Sequence, residues 1–317
     1  MENICLTSYG LALKEASEYL IARKGKTFKI NLELAKTNRR AGKEKFSHIH
    51  QLVQNKPNII LIAPGPLSEN TKKQINFYQK HDNFLICGVQ FSNFHYDLEI
   101  DIQLSTHALP LMASLHSFNK PKNIVHGVYS ETPPVLKNSC TVCWSDPFLT
   151  KDLFHNGQVT AKRFIEINKK YLYEKTSYIT VPRNVMMFAA FCLTFLGGKK
   201  LVLAGFDPET PTYFFSENDS LKLDIIRALS LTDPMIAAWD GRNERIPPPL
   251  ETLFRQSSFI QDVAHAKPVS GTASGWRFTE LVRGTKLLKL VTEKIETKLF
   301  YIGESKFCSN LRINKFE

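Results

Sequence analysis

The sequence lacks the features that would place a chain in a membrane, outside the cell or around a metal. Its most apolar stretch, Val185 to Leu196, falls well short of the ~20 residues a transmembrane helix needs. The opening MENICLTSYGLALKEASEYL has no long apolar core, so no secretory signal is expected. Six cysteines scattered over 317 residues do not make a disulfide framework. Cys140 and Cys143 form a CxxC, yet no second CxxC or nearby histidine pair completes a zinc site, and Thr141, Val142 and Trp144 beside them read as a buried strand. Neither GxGxxG nor GxxxxGK(S/T) is present, which leaves a dinucleotide fingerprint and a P-loop unsupported. The expectation is a soluble, cytoplasmic chain that needs no metal or other cofactor.

What the sequence has in excess is positive charge. Hydrophobic residues make up 43% and charged residues 22%, so the composition is that of an ordinary globular chain. The net charge of +11 then points to an anionic partner: nucleic acid, an acidic membrane surface, or a phosphorylated or carboxylated substrate. Solubility alone is the bland alternative. Residues 1–57 hold two helical patterns, Leu11–Ala22 and Ile30–Ala41, around Arg23, Lys24, Lys26 and Lys29. They read either as a solvated arm packed on the main domain or as a contact with anionic lipid on the inner face of the membrane.

From Asn58 onward the texture is that of an α/β fold. NIILIAPGPL is a strand ending in a Gly–Pro turn, with Ser68 as cap of a polar helix to Lys80. FLICGVQF, IDIQLSTH, NIVHGVYS and SCTVCWS are further apolar strands, and residues 157–175 suit an amphipathic helix. Strands apolar throughout and alternating with helices indicate a Rossmann-like, mostly parallel sheet covered on both faces. The clearest unit runs from Pro182, placed in a first helical turn, through an apolar helix stopped by Gly197 and Gly198, to a strand at Leu201–Phe206 and then Asp207. The expected division is a basic helical arm at 1–57, a nucleotide-binding domain at 58–207, a lid or substrate insertion at 208–275, and a helix and strand at 276–317 completing the main domain. Within the insertion, short helical patterns lie near 220–230 and 250–256.

In such sheets ligands sit beyond the carboxyl ends of the strands. Three places there suit an anion: the Ala63–Leu67 turn, the helix start with Arg183 and Asn184, and Tyr213 after Asp207. Each has an ordinary structural explanation as well. Arg183 reads equally as a surface charge, and Asp207 as a turn cap.

Four segments together resemble bacterial lipooligosaccharide sialyltransferases and, more loosely, Kdo-transferases. APGPL is similar to the family's first-strand turn, ICGVQF to its second strand, VPRNVMMFAAFCLTFLGGKKLVLAGFDP to its helix–strand motif, and TKLFYIGESKFCSNL to its closing strand. The resemblance covers roughly residues 58–317. It implies a glycosyltransferase moving a nonulosonic acid from a CMP-sugar donor to a glycan or glycolipid acceptor, without nucleic acid as partner. On it, Gly65, Pro66, Gln90, Thr106, Arg183, Asn184, Gly205 and Tyr213 would bind the donor, and His265, His107 or Asp207 would be the base. The lid offers only His265 as a histidine, and Pro208 and Glu209 stand where a second lid tyrosine would. Two other readings remain beside it. One is an inactive binder of nucleotide sugars. The other is a basic nucleic-acid-binding module, which the burial of aromatics in strands and the concentration of charge at both ends disfavour.

Overall fold

A computed structural model describes residues 46–129, 140–145, 154–155, 158–159, 161–173, 178–182, 184–209, 212–231, 260, 263–264 and 276–317. The helical patterns expected at 11–22, 30–41 and 250–256 lie outside the described residues, as do Arg183 and His265. Nine strands form one sheet: β1 (Asn58–Ile62), β2 (Leu85–Val89), β3 (Ile102–Ser105), β4 (Asn123–Tyr129), β5 (Cys140–Ser145), β8 (Tyr178–Thr180), β9 (Lys200–Ala204), β10 (Lys298–Ile302) and β11 (Asn314–Lys315). The remaining two, β6 (Phe154–His155) and β7 (Gln158–Val159), make a small separate hairpin.

Every pairing in the large sheet is parallel, in the order β11-β10-β9-β1-β2-β3-β4-β5-β8. The apolar runs explain this. Ile59 and Leu61 of β1 join one core, while Ile60 and Ile62 join another on the opposite face. A strand buried on both faces has no use for alternating polar residues.

Helices cover both faces. On the first lie α1 (46–55), α4 (Ala161–Tyr173), α5 (Val185–Phe195) and α7 (Trp276–Lys294), contributing Phe46, Phe164, Phe191 and Leu288 to one core. On the second, α2 (Glu69–His81) packs Ile75 against Ile60 and Ile86. Its cap is as expected, Ser68 Oγ accepting the Thr71 N–H at 3.1 Å, and Glu69 at the start with Lys80 and His81 at the end match the helix dipole. α3 (Ala108–Leu115) and α6 (Asp219–Ser230) pack on each other beside the aromatic cluster of Phe91, Phe94 and Phe215. α8 (Lys306–Asn310) precedes β11.

The buried helix of the Pro182–Asp207 unit is present, but it starts later than Pro182. Asn184 is its cap, and Met186 through Phe195 are all buried. Pro182 instead accepts the Asn184 N–H through its carbonyl at 2.6 Å, making the turn that leads in. α3, β8, the β6–β7 hairpin and α8 are elements without a clear sequence pattern, each too short to show a period. Among the described residues no helix is long and apolar enough to cross a membrane.

The topology fixes where a ligand can enter. From β1 the chain lays β2, β3, β4, β5 and β8 to one side, then crosses back so that β9, β10 and β11 build the other. Connections leave β1 and β9 in opposite directions, and a crevice opens between their carboxyl ends.

Candidate functional site

A cleft of about 170 Å³ lies in that crevice. It is lined by Gly65, Gln90, Asn184, Gly205, Asp207 and Tyr213, all proposed from sequence, together with apolar Val185, Met186, Phe206 and Leu281. Two backbones in contact form its floor. The Ala63 N–H donates to the Ala204 carbonyl at 2.8 Å, extending the β1–β9 ladder into the turns. A Cβ on Gly65 would stand 2.2 Å from the Gly205 carbonyl oxygen. Gly205 has φ +62°, and a Cβ there would stand 2.9 Å from the Gly65 oxygen. Both positions therefore need glycine, one for close approach and the other for approach and conformation.

One wall is the start of α5. Asn184 Oδ1 accepts the Met186 N–H at 2.8 Å and the Met187 N–H at 3.3 Å. These bonds fix the amide's polarity. With the oxygen committed to the helix, the Nδ2 group is what Asn184 can offer a ligand, and it can only donate. Asp207, half-buried, leaves β9 on the same side. Behind it Cys308 is buried, and its thiol is pushed up to about 11 by burial and by Asp207, opposed by a hydrogen bond from Ser305.

The other wall comes from the segment after Asp207. Tyr213 stacks on Phe215 at 4.8 Å and 11°, and the Phe214 N–H donates to the Pro64 carbonyl at 3.1 Å, tying this segment to the β1 turn. His95 braces the same junction, its ring lying 3.8 Å from that of Phe214. Burial, helped by the Lys72 charge, holds the His95 imidazole down to about 3, against Asp97 and a backbone hydrogen bond to Gly65. His126, on β4, is likewise held down to about 3 by burial and by His107.

Both imidazoles are neutral in the folded chain yet take a proton near pH 6.5 when unfolded. Their contribution to stability is therefore complete above pH 6.5 and is lost as the pH falls toward 3, with a slope approaching about 1.4 kcal/mol per pH unit for each. Urea midpoints taken between about pH 7.5 and about pH 4 are expected to fall along this slope. Replacing His95 with Gln is expected to flatten it by one proton; an unchanged slope would show His95 to be exposed.

Not every proposed residue meets the cleft. Pro66 is exposed beyond the turn, where Pro64 takes the lining place. Thr106 and His107 lie between β3 and α3, His107 at the cap position of α3, and neither lines the cleft. The His107 N–H donates to Ser105 Oγ at 3.0 Å, so the segment serves the start of α3. Leu281, from α7, and His95 carried no signal in the sequence, because each reaches the site only through tertiary packing.

Similarity to known proteins corrects the chemistry. The chain resembles uracil-DNA glycosylases. It is 30% identical over 158 residues to the enzyme of that name from Helicobacter pylori strain J99, covering 49% of this chain and 61% of the relative. Against the strain Shi470 protein of the same name it is 30% identical over 114 residues, covering 36% and 44%. Against that of strain G27 it is 28% identical over 158 residues, covering 49% and 61%. The chain thus spans less than two thirds of the length of each of these relatives. No family model matches, and no solved structure matches.

These relatives overturn the sialyltransferase and Kdo-transferase resemblance, and with it the CMP-sugar donor, the glycan acceptor and the exclusion of nucleic acid. The physical reason is plain in the fold. A Gly–Pro turn after one strand and a helix–strand–Asp unit at its neighbour are what a doubly wound sheet needs at its switch point, whatever reaction it hosts.

Proposed function

We propose that the chain acts on uracil in DNA, admitting the base to the cleft and hydrolysing its bond to deoxyribose. The likeness to the Helicobacter pylori uracil-DNA glycosylases carries this reading. A cleft of about 170 Å³ has room for a single heterocycle. A base reaches such a site only by leaving the helical stack, and is then held by stacking and by hydrogen bonds to its edge. Tyr213, backed by Phe215, supplies an aromatic surface. Asn184 supplies the edge contact, and its fixed polarity matters. Its donor suits the O4 carbonyl of uracil, whereas the N4 amine of cytosine would set donor against donor.

The reaction breaks the bond between C1′ and N1. Water adds its oxygen to C1′, the base departs with the bonding electrons and takes up a proton, and the sugar passes through an oxocarbenium-like state. Asp207 is the group in the cleft suited to receive the water's proton and to face the positive charge on the sugar. The departing charge spreads over the carbonyls of uracil, so this scheme calls for no metal or organic cofactor. A net charge of +11 favours a polyanionic substrate. A cytoplasmic location fits the buried Cys87, Cys192 and Cys308, none of which is in a disulfide.

The test is a single-stranded oligonucleotide carrying one uracil, treated with alkali after incubation. Strand scission at uracil and none at cytosine or thymine is expected. Replacing Asp207 with Asn is expected to slow release by about 10³-fold while oligonucleotide binding persists. A wild-type chain that neither binds the oligonucleotide nor releases uracil would sink the proposal.

A further inference from the structure

Gln90 carries the chain out of β2 with φ +55°, a left-handed conformation that a long side chain rarely adopts. Both of its backbone groups are nevertheless committed. Its N–H donates to the Leu104 carbonyl at 3.1 Å, and its own carbonyl accepts from the side-chain amide of Gln103. Gln103 is wholly buried in β3, a lone amide between Ile102 and Leu104. Its register partner across the ladder is Gly88. A Cβ on Gly88 would stand 2.6 Å from Gln103 Oε1 and 2.3 Å from Ser92 Oγ, so glycine at 88 makes the space that the amide fills. Gln103 Oε1 accepts no hydrogen bond among the described residues, and the amide is buried there for its donor end.

The side chain of Gln90 is placed differently. Gln90 lines the cleft, is half-buried, and its side chain makes no hydrogen bond among the described residues. A left-handed residue held from behind by a buried amide, with its own amide unpaired at a cleft, is arranged for contact with a ligand. We infer that Gln90 reads the base and that Gln103 is the positioning residue that aims it. The inference rests on the proposed function. Asn184 offers donors alone, to O4. Gln90 offers an acceptor and a donor side by side, which match N3–H and O2 of uracil. Together the two amides cover the whole hydrogen-bonding edge of that base.

The test is a double-mutant cycle on the full chain, with affinity for free uracil read by calorimetry and melting temperature read alongside. Gln90→Gly, which suits the left-handed backbone, is expected to lose about tenfold in affinity with no loss of melting temperature. Gln103→Met is expected to lose about as much, and the double variant no more than either single one, because Gln103 acts through Gln90. Gln103→Leu, an apolar residue at home between Ile102 and Leu104, serves where the Met variant does not fold. Losses that multiply, or a Gln103 variant that binds uracil as the wild type does, would overturn the inference while leaving the base site standing. A wild-type chain blind to uracil would instead remove the base site and this reading with it.

Discussion

Asn184→Asp is expected to leave the fold intact and to abolish recognition of the base. On the proposed function, Asn184 has two tasks, one for each end of its amide. Its oxygen caps α5 through the Met186 and Met187 N–H groups, which leaves its nitrogen as the end it can offer at the cleft it lines. An ionised aspartate keeps the first task, and its charge suits the helix N-terminus, so stability should stay within about 1 kcal/mol of the wild type. The second task is reversed: a carboxylate oxygen would meet the O4 carbonyl of uracil. Uracil release should drop by roughly 10²–10³-fold. Asn184→Ala loses both, with about 1 kcal/mol of stability going with the cap. Melting curves and uracil-release rates on the two variants separate the roles. An Asp variant with wild-type turnover would mean that Asn184 is a helix cap and nothing more.

Among the described glycines, Gly65→Ala is expected to be the most damaging substitution by alanine, costing about 3 kcal/mol or more in urea unfolding. The added carbon would sit 2.2 Å from the Gly205 carbonyl oxygen, a backbone atom with little freedom to withdraw. The Ala63–Ala204 bond holds the two turns together, and the bond from Phe214 to Pro64 ties the segment after Asp207 to them. Gly205→Ala meets its neighbours at 2.9 Å and 3.1 Å and adds the roughly 1–2 kcal/mol cost of a left-handed residue. It should be harmful, but less so than Gly65→Ala. A Gly65→Ala chain with an unchanged urea midpoint would show that the crossing has slack.

The lining of the cleft was legible in the sequence where it depends on strand ends. Gly65, Gln90, Gly205 and Asp207 each follow an apolar run, and a parallel sheet sends such residues to one edge. Asn184 was found for its place beside the apolar helix, though Pro182 drew the helix start too early. Proline tolerates a first turn but does not compete with a side chain that accepts two helix N–H groups. Gln103 was passed over as one polar residue in an apolar strand, because its meaning lies in its register with Gly88, which pairing alone sets. The chemistry was misjudged for a related reason. The turn and helix–strand patterns that suggested a sugar donor are demands of the sheet, whereas on the proposed function the ligand is selected by the orientation of amides, which a sequence does not display.

The position of β1 also bears on how the chain is made. It lies at the sheet's centre between β2, which follows at once, and β9, which leaves the ribosome only after β8 and α5. Until Leu201–Ala204 emerge, one flank of Ile59–Ile62 is a row of unpaired N–H and C=O groups along a strongly apolar strand. The nascent polypeptide thus carries an adhesive edge through much of its synthesis, and closing it requires a slow, long-range pairing. The centre of this sheet is therefore the part completed late in synthesis.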